Sequence, residues 1–228
     1  MKNKTTFLSF KRNTGVAGQT IILTMLLLAA GFVRGQHSDR FIIKTSAVEL
    51  LLGDFVTRSW SPNLIIEKPL NKNYSFQQGI GFILPDNKNM TDKEMLFIVV
   101  DRIFGIAIKP ELKKFISKDK DALTGFYLSI DGKGVYTKAN LSVSKAIVER
   151  FDVATHLNVG YQVFSKWNLS FELSAGIGPG YISSSTSLKR EELGLKEYRH
   201  GILYAGGSGA YLSYQFDLKI GYLFKQKR

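Results

Sequence analysis

The 228-residue chain contains no cysteine, only 5 prolines, only 3 histidines, and no apolar run long enough to cross a bilayer as a helix. Each absence removes a class of protein. Without cysteine there is no disulfide, no thiol nucleophile, no Cys-based zinc site and no lipoprotein anchor. His37, His156 and His200 stand in no HExxH or other ligand spacing, so no metal site is expected. The longest apolar run, Ile21–Val33, has 13 residues, whereas a spanning helix takes roughly 20. Few prolines beside 21 glycines fit strands with close approaches rather than disorder.

The first 35 residues hold no Asp or Glu but carry Lys2, Lys4, Lys11, Arg12 and Arg34. A basic start, a short apolar core and a small residue at Gly35 make a signal peptide over residues 1–35, with cleavage leaving Gln36 first. The alternative is an uncleaved N-terminal anchor. Either way the chain from 36 to 228 is expected to leave the cytoplasm. Five of the +12 formal charges belong to this leader, which leaves +7 for the remainder. Those lysines are scattered among strands and turns, without a basic helix or zinc-finger pattern. Nucleic acid is therefore not an expected partner, and anionic lipid headgroups or glycolipid suit the charge better.

What the chain has is a period of two. In Tyr211–Phe224 the residues Leu212, Tyr214, Phe216, Leu218, Ile220, Tyr222 and Phe224 form one apolar face. Ser213, Gln215, Asp217, Lys219 and Gly221 lie on the other, so this is a strand between two unlike surroundings. Phe151–Val163 and Leu169–Ile177 repeat the pattern, joined by the short connection Ser165-Lys166-Trp167-Asn168. Weaker alternation runs through 104–113, 126–133 and 79–84. Eight strands are predicted, at about 41–52, 60–70, 74–84, 102–116, 124–138, 150–164, 169–183 and 210–224. The faces of the first cannot be assigned. The apolar stretch Met95–Val100 would extend the fourth strand. Short connections (71–73, 117–123, 165–168) alternate with long ones (85–101, 139–149, 184–209). That is the plan of an all-β, antiparallel, up-and-down transmembrane barrel. Trp60, Tyr74, Tyr161, Trp167, Tyr181, Tyr222 and Phe224 fall near strand ends, where headgroups would lie.

The predicted inward face holds Glu67, Lys109, Glu111, Lys113, Asp131, Lys133, His156, Glu172, Asp217 and Lys219. An eight-stranded barrel is only just wide enough for its own side chains. Opposite charges there must pair, since a buried unpaired charge is costly. The expectation is a salt-bridged lumen rather than an ion path or a catalytic site. A lipid-modifying hydrolase would need a His–Ser pair, and His156 with Ser170 or Ser174 is the pair the neighbouring strand supplies. Gly176, Gly178 and Gly180 imitate a phosphate loop, but neither a helix nor Lys-Ser/Thr follows; they read as places where a bulky neighbour packs across the strand. The charged segment Ser187–His200 reads as an outer loop, either simply solvated and mobile or presenting a surface to a ligand or partner.

The segments Ile108-Lys109-Pro110-Glu111-Leu112-Lys113, Gly125-Phe126-Tyr127-Leu128, Asn158-Val159-Gly160-Tyr161 and Phe171-Glu172-Leu173, with the aromatic last strand, carry a resemblance. The chain resembles the small eight-stranded outer-membrane barrels of Gram-negative bacteria, of the outer-membrane protein A type, over about residues 40–224. The resemblance implies a monomer in the cell outer membrane, surrounded by outer-membrane lipid and inserted by the barrel-assembly machinery through a terminal aromatic strand. Here Phe224 is followed by Lys225-Gln226-Lys227-Arg228, a departure from that ending. The expected role is structural or surface contact, porin-like in architecture, without enzyme activity, cofactor or metal. The alternatives are a narrow channel, a lipid-modifying hydrolase, and a soluble periplasmic lipid-binding barrel with its apolar face turned inward.

Overall fold

The computed structural model describes residues 40–52, 61–84, 100–116, 123–141, 147–187 and 207–225. Residues 1–39 (the expected signal peptide among them), Trp60, the stretch Met90–Val99 and most of Ser187–His200 lie outside them. Among the described residues there are eight strands and one short helix: β1 (Arg40–Ser46), α1 (Ala47–Leu52), β2 (Asn63–Pro69), β3 (Tyr74–Ile83), β4 (Val100–Phe115), β5 (Gly125–Leu141), β6 (Ile147–Phe164), β7 (Leu169–Thr186) and β8 (Ser208–Lys225). Each strand pairs antiparallel with its sequence neighbours, and β1 pairs with β8, so the sheet closes into a barrel.

The strands are unequal. β1 and β2 have 7 residues and β3 has 10, whereas β4 to β8 have 16 to 18. At the end holding the connections 70–73, 116–124 and 165–168 the strands finish together. At the opposite, loop end, the pairing of β1 with β8 stops at Ser46↔Lys219, and β8 runs on with β7 to Ser208.

The first strand corrects the expectation of 41–52. Residues 47–52 are helical because Ser46 caps α1: its Oγ accepts a hydrogen bond from the Glu49 backbone N–H at 3.1 Å. The fifth connection is also corrected. Residues 139–149 were expected to form a long loop, yet β5 and β6 pair as far as Asn140↔Ile147. The alternation of short and long connections therefore holds only in part.

The two faces of the wall differ as the period demands. Leu128, Ile130, Leu157, Val159, Leu173, Ile177, Phe216 and Leu218 point outward and are exposed. Ser129, Asp131, His156, Asn158, Glu172, Ser174, Asp217 and Lys219, on the same strands, point inward and are buried. Outward aromatics gather at the turn end. Phe41 stacks on Phe224 at 5.0 Å, Tyr222 meets Phe224 edge-on at 4.9 Å, and Phe126 packs on Tyr161 at 4.6 Å. Inside the same end, Ile42, Phe115, Leu123, Tyr127 and Leu223 form an apolar floor.

The hairpin between β6 and β7 is tight. Ser165 N–H donates to the Leu169 carbonyl at 2.8 Å, and Asn168 takes a left-handed φ of 62°. Asn is among the residues that tolerate this conformation, which costs other L-residues about 1–2 kcal/mol. Asn168→Val should lower the midpoint of thermal unfolding, whereas Asn168→Gly should not.

Candidate functional site in the lumen

The lower lumen is a closed ion network just above the apolar floor. Glu172 on β7 is its hub. The Glu172 carboxylate accepts from Lys113 Nζ at 2.7 Å, Lys219 Nζ at 2.8 Å and Tyr127 Oη at 2.6 Å, and also from Lys44 Nζ. Glu67 accepts from Lys44 and, at 2.5 Å, from Ser75 Oγ. Glu111 accepts from Lys219 at 3.0 Å, Gln77 Nε2 at 2.8 Å and Ser129 Oγ at 2.7 Å. The cations Lys44, Lys113 and Lys219 thus face the anions Glu67, Glu111 and Glu172, and every one of the six is buried. Charge balance with multiple hydrogen bonds per carboxylate is the condition under which buried ions persist.

Inward glycines make room for the long side chains. A Cβ on Gly160 would fall within the Tyr127 ring, one on Gly176 would meet the Asn158 amide, and one on Gly180 would meet the Tyr211 ring. The glycine row is thus a packing device, and a bulky neighbour lies across each of these three positions. At Gly178 a Cβ would instead strike the Thr155 carbonyl, so β6 and β7 approach closely there. Pro179 follows, and Thr155 and His156 have no register partners on β7.

Above the network, towards the loop end, the lumen opens into a cavity of about 290 Å³. Its walls combine apolar Ile83, Ala107 and Val135 with Glu49, Lys109, Lys133, His156, Ser213 and Asp217. Glu49, carried in by α1, pairs with Lys109 and takes the Asn63 side-chain amide. Asp217 accepts from Ser46 Oγ.

On the β5–β6–β8 wall a second arrangement appears. His156 Nδ1 lies 2.7 Å from Asp131 Oδ1, and His156 Nε2 lies 2.8 Å from Ser213 Oγ. A carboxylate only accepts, so Nδ1–H donates to Asp131, and in the neutral imidazole Nε2 accepts the Ser213 hydroxyl proton. The Asn158 amide donates to the other Asp131 oxygen at 2.9 Å. The His156 ring is buried, whereas Ser213 is half-buried and reaches the cavity.

All ten residues named from the sequence face the lumen. Glu67, Glu111, Lys113, Glu172 and Lys219 belong to the network. Asp131, His156 and Asp217 are buried above it, and Lys109 and Lys133 line the cavity half-buried. The expected partners of His156 are corrected: Ser170 and Ser174 do not reach it, and their hydroxyls have no hydrogen-bond partner among the described residues. The partner is Ser213, two strands away. Lys44 was missed because the first strand had no assigned faces, and Glu49 because α1 was read as strand. The signal for both is Ser46-Ala47-Val48-Glu49, the S-x-x-E spacing that starts helices and would have ended β1 at Ser46. Comparison with protein-family models, curated proteins and solved structures gives no match to this chain.

Proposed function

We propose that the chain is an exported, monomeric outer-membrane barrel whose main role is structural, closing its own lumen and presenting its loop end as a contact surface. The observation that carries this reading is the split between faces. Alternate residues of the same strands are exposed and apolar outward, and buried, charged and paired inward. In water such an outer wall would be a large exposed apolar patch; against lipid it is the expected surface. A soluble lipid-binding barrel needs the reverse, with its apolar side chains inside.

Three further features support it. β4 to β8 exceed the roughly 9–11 tilted residues needed to cross the hydrocarbon core. The surplus accounts for the loop end, where outward residues turn polar, as in the Lys138–Glu149 cross-strand pair at 3.1 Å. The outward aromatics at the turn end match a headgroup girdle. The resemblance to small outer-membrane barrels points the same way, with outer-membrane lipid and the barrel-assembly machinery as partners.

The ion network and the apolar floor speak against a channel. The lower part of the lumen is filled by paired Lys and Glu side chains above an apolar floor, which leaves no open path for a solute there. The purified protein reconstituted into liposomes should therefore give no ion or sugar flux above protein-free vesicles. Flux would support the channel reading and remove the structural one.

A further inference from the structure

We propose that Ser213, His156 and Asp131 form an acyl-transfer centre that cleaves carboxylic esters whose acyl chain enters the loop-end cavity. This goes beyond the structural role above and does not depend on lipid surrounding the barrel. It also departs from the expectation of a barrel without catalysis.

The geometry supplies each part of nucleophilic catalysis. A serine hydroxyl is activated when a base lies within hydrogen-bond reach and a third group orients that base. The Ser213 Oγ to His156 Nε2 distance is 2.8 Å, and His156 Nδ1 to Asp131 Oδ1 is 2.7 Å. Asp131 is itself fixed by the Asn158 amide at 2.9 Å. The three residues come from β5, β6 and β8, so a rigid sheet holds them rather than a loop. His156 reaches Ser213 because β7 presents no side chain between them: Ser213 is paired with Gly178. Any side chain at that position would collide with the Thr155 carbonyl.

The cavity defines the substrate class. Ser213 opens onto a space of about 290 Å³, at the lower end of small-molecule sites. Apolar Ile83, Ala107 and Val135 line it and suit an acyl chain. Lys133 lines it too, with no ion-pair partner among the described residues, and offers a positive charge to a developing oxyanion.

The chemistry balances with water as the only co-reactant. Ser213 Oγ bonds to the ester carbonyl carbon as His156 Nε2 takes the hydroxyl proton. The tetrahedral adduct collapses, the C–O bond to the alcohol breaks, and His156 returns the proton to the leaving alcohol. Water then attacks the acyl-serine, again through His156, releasing the carboxylic acid and restoring Ser213. Asp131 holds the His156 ring in place throughout as a positioning residue.

The test is covalent labelling of the full chain, purified in non-ionic detergent, with an octyl fluorophosphonate. The same sample is checked for heat-dependent gel mobility. One phosphonyl adduct, mapped to Ser213 and absent from Ser213→Ala, is expected. His156→Gln should slow labelling about 100-fold or more. Asp131→Asn should lower kcat on p-nitrophenyl butyrate while leaving KM unchanged, a split that a purely structural role would not give. Turnover of that soluble ester, of diacyl phospholipid in mixed micelles, or of both supports the site and identifies the source of the ester. A folded, heat-modifiable protein that takes no adduct overturns the proposal, as does labelling that persists in Ser213→Ala. Labelling at Ser213 without a heat-dependent shift upholds the site and contradicts the membrane reading.

Discussion

Glu172→Ala should destabilise the folded barrel by about 3–5 kcal/mol, the cost of removing one partner from a buried ion network. The carboxylate accepts from Lys44, Lys113, Lys219 and Tyr127. Removing it leaves three ammonium groups facing Glu67, Glu111 and, 4.0 Å from Lys219, Asp217, in a lumen where the cations and Glu172 are almost wholly buried. The loss is measured as the shift in urea midpoint of the protein in lipid vesicles. The account also predicts coupling. Adding Lys113→Met to Glu172→Ala removes one excess charge, so the double variant should recover about 0.5–3 kcal/mol relative to the sum of the single effects. Strict additivity would mean that the lumen residues act one by one and that the network is not the unit of stability.

Ile177→Arg should cost about 2–4 kcal/mol in a bilayer and little of that in a soluble setting. Ile177 is outward, lies mid-strand on β7 and pairs with Leu157 on β6 and Tyr214 on β8. At 47% exposure it has no packed pocket to lose, so a large penalty can only come from placing a guanidinium against hydrocarbon. The readout is the same urea titration in vesicles. A change under about 0.5 kcal/mol, usual for exposed positions in water, would count against lipid at this wall.

These effects trace to a pattern that was legible in β5 to β8. There, between the apolar floor and the loop end, most outward residues are apolar and most inward ones polar or small, so period and face coincide. Legibility failed where one of the two signals disappears. At the loop end the strands continue past the apolar wall, and outward positions become Lys138 and Glu149. Pairing persists while alternation does not, so 139–149 read as a loop. In β1 the apolar residues run on through Val48 and Leu50–Leu52 into a helix, and only the capping spacing at Ser46 and Glu49 marks the change. The charged lumen was legible because an eight-stranded interior must pair its charges, but the choice of partners was not. Lys44 meets Glu172 only because β1 closes on β8 beside β7, a contact between residues 128 positions apart. His156 was sought with serines on the next strand. Barrel curvature and the bare backbone at Gly178 bring it instead to Ser213, 57 positions away.

The central claim is that lipid covers the outer wall, and the absence of native cysteine allows it to be read residue by residue. Single cysteines placed along β8, at Phe216, Leu218, Ile220 and, on the alternate face, Ser213 and Gln215, would be labelled with a small fluorophore in vesicles. The account predicts an alternation. Labels at Phe216→Cys, Leu218→Cys and Ile220→Cys should be quenched by a nitroxide on the lipid chains and ignored by aqueous iodide, while labels at Ser213→Cys and Gln215→Cys should escape the lipid quencher. Quenching of the outward set by iodide and not by the lipid nitroxide would place the apolar face in water or against another protein, and would contradict the membrane barrel.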